Sequence, residues 1–165
     1  MLGTNGSRRD MTGMPELSII IPTYNRAERL RACLEALSRQ ELAPELFEVI
    51  VVVDGSTDAT ITMLERLETP FRLRTIRQDN AGQASARNRG IAAAEGAYCL
   101  FIDDDIIAAR GLAAGHLRAH RSSTDVVAVG QLTITLPEDA DWYARAFADG
   151  WRNRYAALNR SEFSP

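Results

Sequence analysis

Leu17-Ser18-Ile19-Ile20-Ile21-Pro22-Thr23-Tyr24-Asn25 decides how the rest of the chain reads. A short β-branched run without polar alternation is the signature of a strand buried on both faces, and Pro22 stops it. Working outward, Arg26 to Gln40 places Leu30, Cys33, Leu34 and Leu37 at helical spacing. Phe47 to Val53 repeats the apolar run and ends at Asp54-Gly55-Ser56. Asp58 can cap a helix carrying Ile61, Leu64 and Leu67. Phe71 to Arg77 alternates apolar and basic residues, as an edge or half-exposed strand does. Gly82 to Glu95 is Ala-rich and helical, and Ala97 to Ile102 is a further strand that runs straight into Asp103-Asp104-Asp105. Gly111 to Ser122 reads as a helix, Val126 to Leu136 as a fifth, extended strand, and Asp139 to Pro165 as a helix with an irregular tail.

Strands alternating with helices at this spacing predict an α/β fold, a mostly parallel Rossmann-like sheet with helices on both faces. Ligands of such sheets bind beyond the carboxyl ends of the strands. Three strands end in polar clusters at that edge: Pro22-Thr23-Tyr24-Asn25, Asp54-Gly55-Ser56 and Asp103-Asp104-Asp105. Residues 1–16 are polar, without the apolar core of a secretory signal, and read as a flexible leader before an α/β body over 17–136.

Composition narrows the chemistry. The chain has 165 residues, 45% hydrophobic and 25% charged, enough for one compact domain burying about 70% of its unfolded surface. All 19 basic residues are Arg, so lysine-dependent chemistry, including a P-loop lysine and a Schiff base, is excluded. A net charge of −3 argues against a nucleic-acid partner. No run approaches the roughly 18 apolar residues of a membrane span. Cys33 and Cys99 lie far apart in apolar settings and read as two buried thiols of a reducing compartment, which points to the cytoplasm.

Three successive carboxylates repel one another, and a hard divalent cation (Mn²⁺ or Mg²⁺) held by one or two of them offsets that repulsion while leaving positions for phosphate oxygens. A solvated acidic turn is the plainer alternative. Asp54 can accept from the imide or ribose of a nucleotide, or stabilise its own turn. Tyr24 offers a ring to a base, with Pro22, Thr23 and Asn25 around it, in what is otherwise an ordinary strand-to-helix turn. Asn80-Ala81-Gly82-Gln83 precedes a helix whose free N–H groups can face an anion, with Arg87 and Arg89 one turn on. His116 and His120 stand at i, i+4, but no glutamate or third ligand accompanies them, and they read as packing or surface histidines. No Gly-x-Ser-x-Gly elbow and no glycine-rich turn after the first strand occur, so esterase and dinucleotide-oxidoreductase readings fail.

In this order, Ile21-Pro-Thr-Tyr-Asn-Arg26, Val53-Asp-Gly-Ser-Thr-Asp58, Asn-x-Gly-x-x-x-Ala-Arg-Asn-x-Gly over Asn80 to Gly90, and Phe101-Ile-Asp-Asp-Asp105 resemble the motifs of family-two glycosyltransferases. The resemblance runs from Leu17 to about Thr135 and implies a GT-A fold and an inverting, metal-assisted transfer from a nucleotide-diphosphate sugar, UDP-sugars favoured, to an acceptor hydroxyl on a saccharide, lipid or small molecule. It implies donor-binding roles for Pro22, Thr23, Tyr24, Asn25, Asp54, Gly82, Arg87 and Asp104. Thr23 and Tyr24 would border the base, Asp54 the uracil or ribose, and Asp104 the ribose. Asp103 and Asp105 form the Asp-x-Asp pair, with Asp105 on the metal.

The family's carboxylate base normally lies well downstream of that pair. Glu138, Asp139 and Asp141 follow too closely, and the base is expected beyond Pro165. Residues 137–165 then begin an acceptor-side region, the chain being the donor-binding part of a longer enzyme whose remainder could reach the inner membrane face. The alternative is a nucleotide-sugar-binding module without transferase activity.

Overall fold

The computed structural model describes residues 13–123 and 126–158. They divide into two compact units that part between Val126 and Val127. The first unit is built on four parallel strands in the order β3-β2-β1-β4: β1 (Leu17–Thr23), β2 (Phe47–Asp54), β3 (Arg72–Gln78) and β4 (Tyr98–Phe101). β1 and β2 pair without offset, Leu17 against Phe47 through Thr23 against Val53. Both central strands are buried at every position, which is why their sequences are apolar on both faces. Between them come α1 (Ala27–Leu37), α2 (Thr60–Arg66) and α3 (Gln83–Ala93), with α4 (Leu112–Ser122) after β4.

The pleat sorts the core into two layers. Ile19, Ile21, Val49, Val51 and Val53 pack with Leu30, Cys33, Leu34 and Leu37 of α1 and Met63 and Leu64 of α2. Ile50 and Val52 face the other way, against Ala86 of α3. α3 lies close to the sheet because Gly90 has no side chain: a Cβ there would stand 2.4 Å from Ile20 Cγ2, and Ile20 is wholly buried. Gly90→Ala is therefore expected to cost about 1–3 kcal/mol of overpacking despite the better helix propensity of alanine, a loss that urea unfolding reads directly.

Pro22 continues β1 where the sequence had placed a stop. Ile20 O accepts from Ile102 N, so by the period-2 alternation Pro22 also turns toward the β4 side, where the ladder has ended and no N–H is required. The body is engaged before Leu17. Pro15 is buried, Glu16 N donates to Leu46 O, Tyr98 N donates to Glu16 O, and Arg121 pairs with the Glu16 carboxylate. The rest of the expected leader, residues 1–12, lies outside the described residues. Cys33 is buried as expected, but Cys99 is exposed: it sits on β4, an edge strand of the sheet, where the neighbouring Leu100 is the buried position.

A buried polar network closes the amino end of the sheet. Glu48 and Ser18, both fully buried register partners, face the C-terminus of α3. Glu48 accepts from Ser18 Oγ (2.8 Å), Glu95 N (2.8 Å) and Arg74 Nη1 (3.1 Å). Arg74 also donates to Ala93 O, one of the last carbonyls of α3, and to Glu95, which Arg72 grips with both terminal nitrogens.

In the second unit, α5 (Trp142–Leu158) begins at Asp141, whose Oδ1 accepts from Ala144 N at 2.8 Å. Phe147, Trp151 and Tyr155 follow one another along one side, with centroids 6.3 and 5.9 Å apart. The expected fifth strand is corrected: Val126 to Leu136 forms no strand among the described residues. An alternating apolar segment becomes a strand only when a neighbour completes its ladder, and none of the described strands does. No helix of the described residues is long and apolar enough to cross a membrane.

Candidate functional site

Because all four strands run the same way, the turns after β1, β2 and β4 meet at one edge. They enclose a cleft of about 420 Å³ lined by Pro22, Thr23, Tyr24, Arg26, Asp54, Gln83, Asp103, Asp104 and Asp105. The sequence reading gives seven of these a site role; Gln83 enters it only as part of Asn80-Ala81-Gly82-Gln83, and Arg26 only as part of a motif.

Asp54 ends β2 and is nearly buried. Its Oδ1 accepts from Ala81 N and Gln78 Nε2, each at 2.8 Å, and its Oδ2 from Gly82 N at 2.9 Å. The N–H groups before α3, open to an external anion by the sequence reading, are thus partly engaged by an internal one. Burial pushes the Asp54 pKa up, but these three donors outweigh it and hold the group below the ordinary 3.8. Gly55 makes the tie possible: it has φ +76°, and a Cβ there would stand 2.8 Å from Asn80 N.

Asn25 does not line the cleft. It takes the left-handed φ of 52°, and its Oδ1 accepts from Thr57 N at 2.7 Å and Asp58 N at 3.3 Å, clamping the turns after β1 and β2 together. Asp58 joins this clamp instead of acting as a simple cap. Its Oδ1 accepts from Thr60 N at 3.0 Å, and its Oδ2 from Ala27 N, the first residue of α1, at 3.2 Å. Burial raises the Asp58 pKa, but the Thr60 and Ala27 donors outweigh it, for a net depression.

The acidic turn splits three ways. Asp104 is buried with a donor on each oxygen: Thr23 Oγ1 donates to its Oδ2 at 2.8 Å and Arg26 Nη1 to its Oδ1 at 3.2 Å. Asp103 receives Arg87 Nη2 at 2.8 Å and Gln83 Nε2 at 3.1 Å, both on Oδ1. Asp105 receives Arg26 Nη1 on Oδ2 at 3.0 Å, with Arg29 Nη1 at 3.8 Å. The repulsion assigned to a metal from sequence is thus already offset by arginines, which a sequence reading counts as solvated cations. Beneath the turn lies the Cys33 thiol, pushed up to about 12 by burial and by the Asp104 and Asp105 charges, and so protonated.

Asp103 Oδ2 and Asp105 Oδ1 receive no hydrogen bond from the described residues, and both side chains are half-exposed. These are hard oxygen donors of the type Mg²⁺ and Mn²⁺ take, so the pair fits such an ion. Among the described residues no three acidic, histidine or cysteine side chains are grouped for a metal. Gly82 reaches the site through its N–H on Asp54, and Arg87 through Asp103. The Arg87 Nε is buried without a partner, the sole such side-chain atom among the described residues. His120 stacks on Tyr98 with centroids 4.8 Å apart, and His116 is buried in α4, its pKa lowered by burial and by His120; neither enters the cleft.

Fold and site together define a Rossmann-like α/β domain with an acidic cleft at the carboxyl edge of its sheet. The chain belongs to glycosyl transferase family 2, whose profile it matches over residues 18–164. It is 42% identical over 114 residues to the uncharacterized glycosyltransferase YfnE of Bacillus subtilis, covering 68% of this chain and 29% of YfnE. It superposes on crystalline S. aureus TarS 1–349 with a TM-score of 0.62 at 26% identity, covering 72% of this chain and 39% of TarS. Further TarS crystals hold UDP and UDP-GlcNAc. The mannosyltransferase PcManGT of Pyrobaculum calidifontis, in complex with GDP-Man and Mn²⁺, gives a TM-score of 0.61 at 27% identity, over 64% of this chain and 32% of that one. The fold is of the GT-A type. The chain spans about a third of the length of these proteins.

Proposed function

We propose that this chain forms the donor side of a glycosyltransferase that moves a sugar from a nucleotide-diphosphate sugar, a UDP-sugar by preference, to an acceptor hydroxyl with inversion. The observation that carries the reading is the cleft in which Tyr24, Asp54 and two carboxylates with open oxygens converge. The half-exposed Tyr24 ring is offered to the nucleobase, and the turn tied by Asp54 walls the base and ribose. Asp103 and Asp105 would hold a divalent cation, which when bound neutralises charge on the departing diphosphate. Arg87 keeps an unpaired Nε–H near that charge. The uridine and guanosine sugars in related structures support the donor class and leave the sugar open.

Inverting transfer also needs a base within reach of the acceptor hydroxyl. Asp54 is tied on both oxygens, Asp104 is buried with one oxygen held by Thr23, and Asp103 and Asp105 serve the diphosphate side. We therefore place the base outside the donor cleft. The same commitments keep a second reading in view, a donor-binding module without transfer.

Calorimetry with UDP and with GDP tests the site. Binding is expected with Mn²⁺ or Mg²⁺ and should weaken strongly in chelator, and Asp105→Ala should abolish the metal dependence. Equal binding with and without metal, or wild-type titrations from Asp105→Ala, would overturn the metal assignment. Donor turnover measured beside binding separates enzyme from module.

A further inference from the structure

Arg26 is the one cleft residue whose charge opposes its surroundings. Its Nη1 bridges Asp104 Oδ1 at 3.2 Å and Asp105 Oδ2 at 3.0 Å, from a side chain 45% exposed at the start of α1. Asp104 is held independently by Thr23, whereas among the described residues Asp105 has only Arg26 and the more distant Arg29. A guanidinium thus sits on Asp105 Oδ2, beside the open Oδ1 that a cation would take.

We propose that Arg26 is a displaceable counter-ion: it holds Asp105 in the ligand-free protein and passes to the diphosphate when the nucleotide enters, so that nucleotide and divalent cation bind with positive coupling. This rests on the nucleotide-sugar reading of the cleft. A cation approaching Asp105 alone meets Arg26 as a like charge. A diphosphate offers the planar guanidinium fork a charged, two-oxygen acceptor, within the cleft that Arg26 already lines. Once Arg26 turns to the phosphate, both oxygens of Asp105 are open. By linkage, the nucleotide then tightens the cation by the same factor as the cation tightens the nucleotide.

The experiment follows free Mn²⁺ by electron paramagnetic resonance, with and without UDP or GDP, for wild type, Arg26→Gln and Arg26→Lys. In wild type either nucleotide is expected to tighten Mn²⁺ roughly fivefold or more. Arg26→Gln should bind Mn²⁺ alone roughly fivefold more tightly than wild type and lose most of the enhancement by nucleotide. Arg26→Lys, which keeps the charge without a guanidinium to span two carboxylates, should shift the same way by less, and it decides the matter if Arg26→Gln does not fold. Unchanged or weaker binding of Mn²⁺ alone, with wild-type enhancement by nucleotide, would overturn the role of Arg26 and leave the metal-and-nucleotide reading standing. Absence of Mn²⁺ binding by wild type with either nucleotide would overturn that reading, and this inference with it.

Discussion

Asp54→Asn is expected to destabilise the protein by about 3 kcal/mol and to lower nucleotide affinity by roughly tenfold or more. The carboxylate collects two backbone N–H groups and one side-chain amide from the segment before α3, all within 2.9 Å. An amide cannot accept on both sides, so one group of donors faces an NH₂ and the turn that carries Gly82 and Gln83 loosens. Affinity falls because that turn walls the cleft, beyond any direct contact to the base. The effect carries a pH signature. The folded pKa of Asp54 is depressed, so the unfolded chain takes up the proton first as pH falls. Its stabilisation is complete above the ordinary carboxylate pKa and fades as pH falls through the folded value. Wild-type unfolding free energy should therefore decline below about pH 4 more steeply than that of Asp54→Asn, measured by urea unfolding across pH. Parallel acid limbs would show that Asp54 is not the tie.

Glu48→Ala should be the most destabilising change at the other end of the sheet, at about 3–5 kcal/mol. Glu48 is wholly buried in a central strand, and its removal leaves Ser18 Oγ and Glu95 N without their acceptor and takes one of three acceptors from the partly buried Arg74 guanidinium. Glu48→Gln keeps one acceptor oxygen and should lose less. Since the network lies at the amino end of the strands and the cleft at the carboxyl end, nucleotide affinity of the folded fraction should be unchanged in both variants. Chemical unfolding with a parallel nucleotide titration checks this, and a Glu48→Ala protein as stable as wild type would refute the account.

These two carboxylates mark where sequence reading stops. Both follow or lie in apolar β-runs, and nothing local separates them: Asp54 was legible as a site residue because it closes a strand at the ligand edge, whereas Glu48 near the start of the same strand drew no notice. The alternation of Phe71 to Arg77 says nothing of a buried partner for its basic residues, yet Arg74 is the partner of a buried acid. Arg26 was part of a motif but had no role until the turn after β4 came to it across 78 residues of chain.

By itself the sequence determined what short-range physics controls. β-branched runs without polar alternation had to be buried strands, helical spacing supplied the layers on either side, and polar residues at strand ends set the edge where a ligand binds. The motifs at that edge were readable because each sits within a few residues of its strand end. Tertiary structure alone decided which charges meet: Arg26 with Asp104 and Asp105, Arg87 with Asp103, and Asp54 with the N–H groups of the segment before α3. It also decided that Val126 to Leu136, patterned as a strand, finds no ladder among the described residues. The reason is the same in each case: a side chain's charge and a strand's hydrogen-bonding capacity are local properties, but whether they are satisfied depends on partners brought from distant parts of the chain.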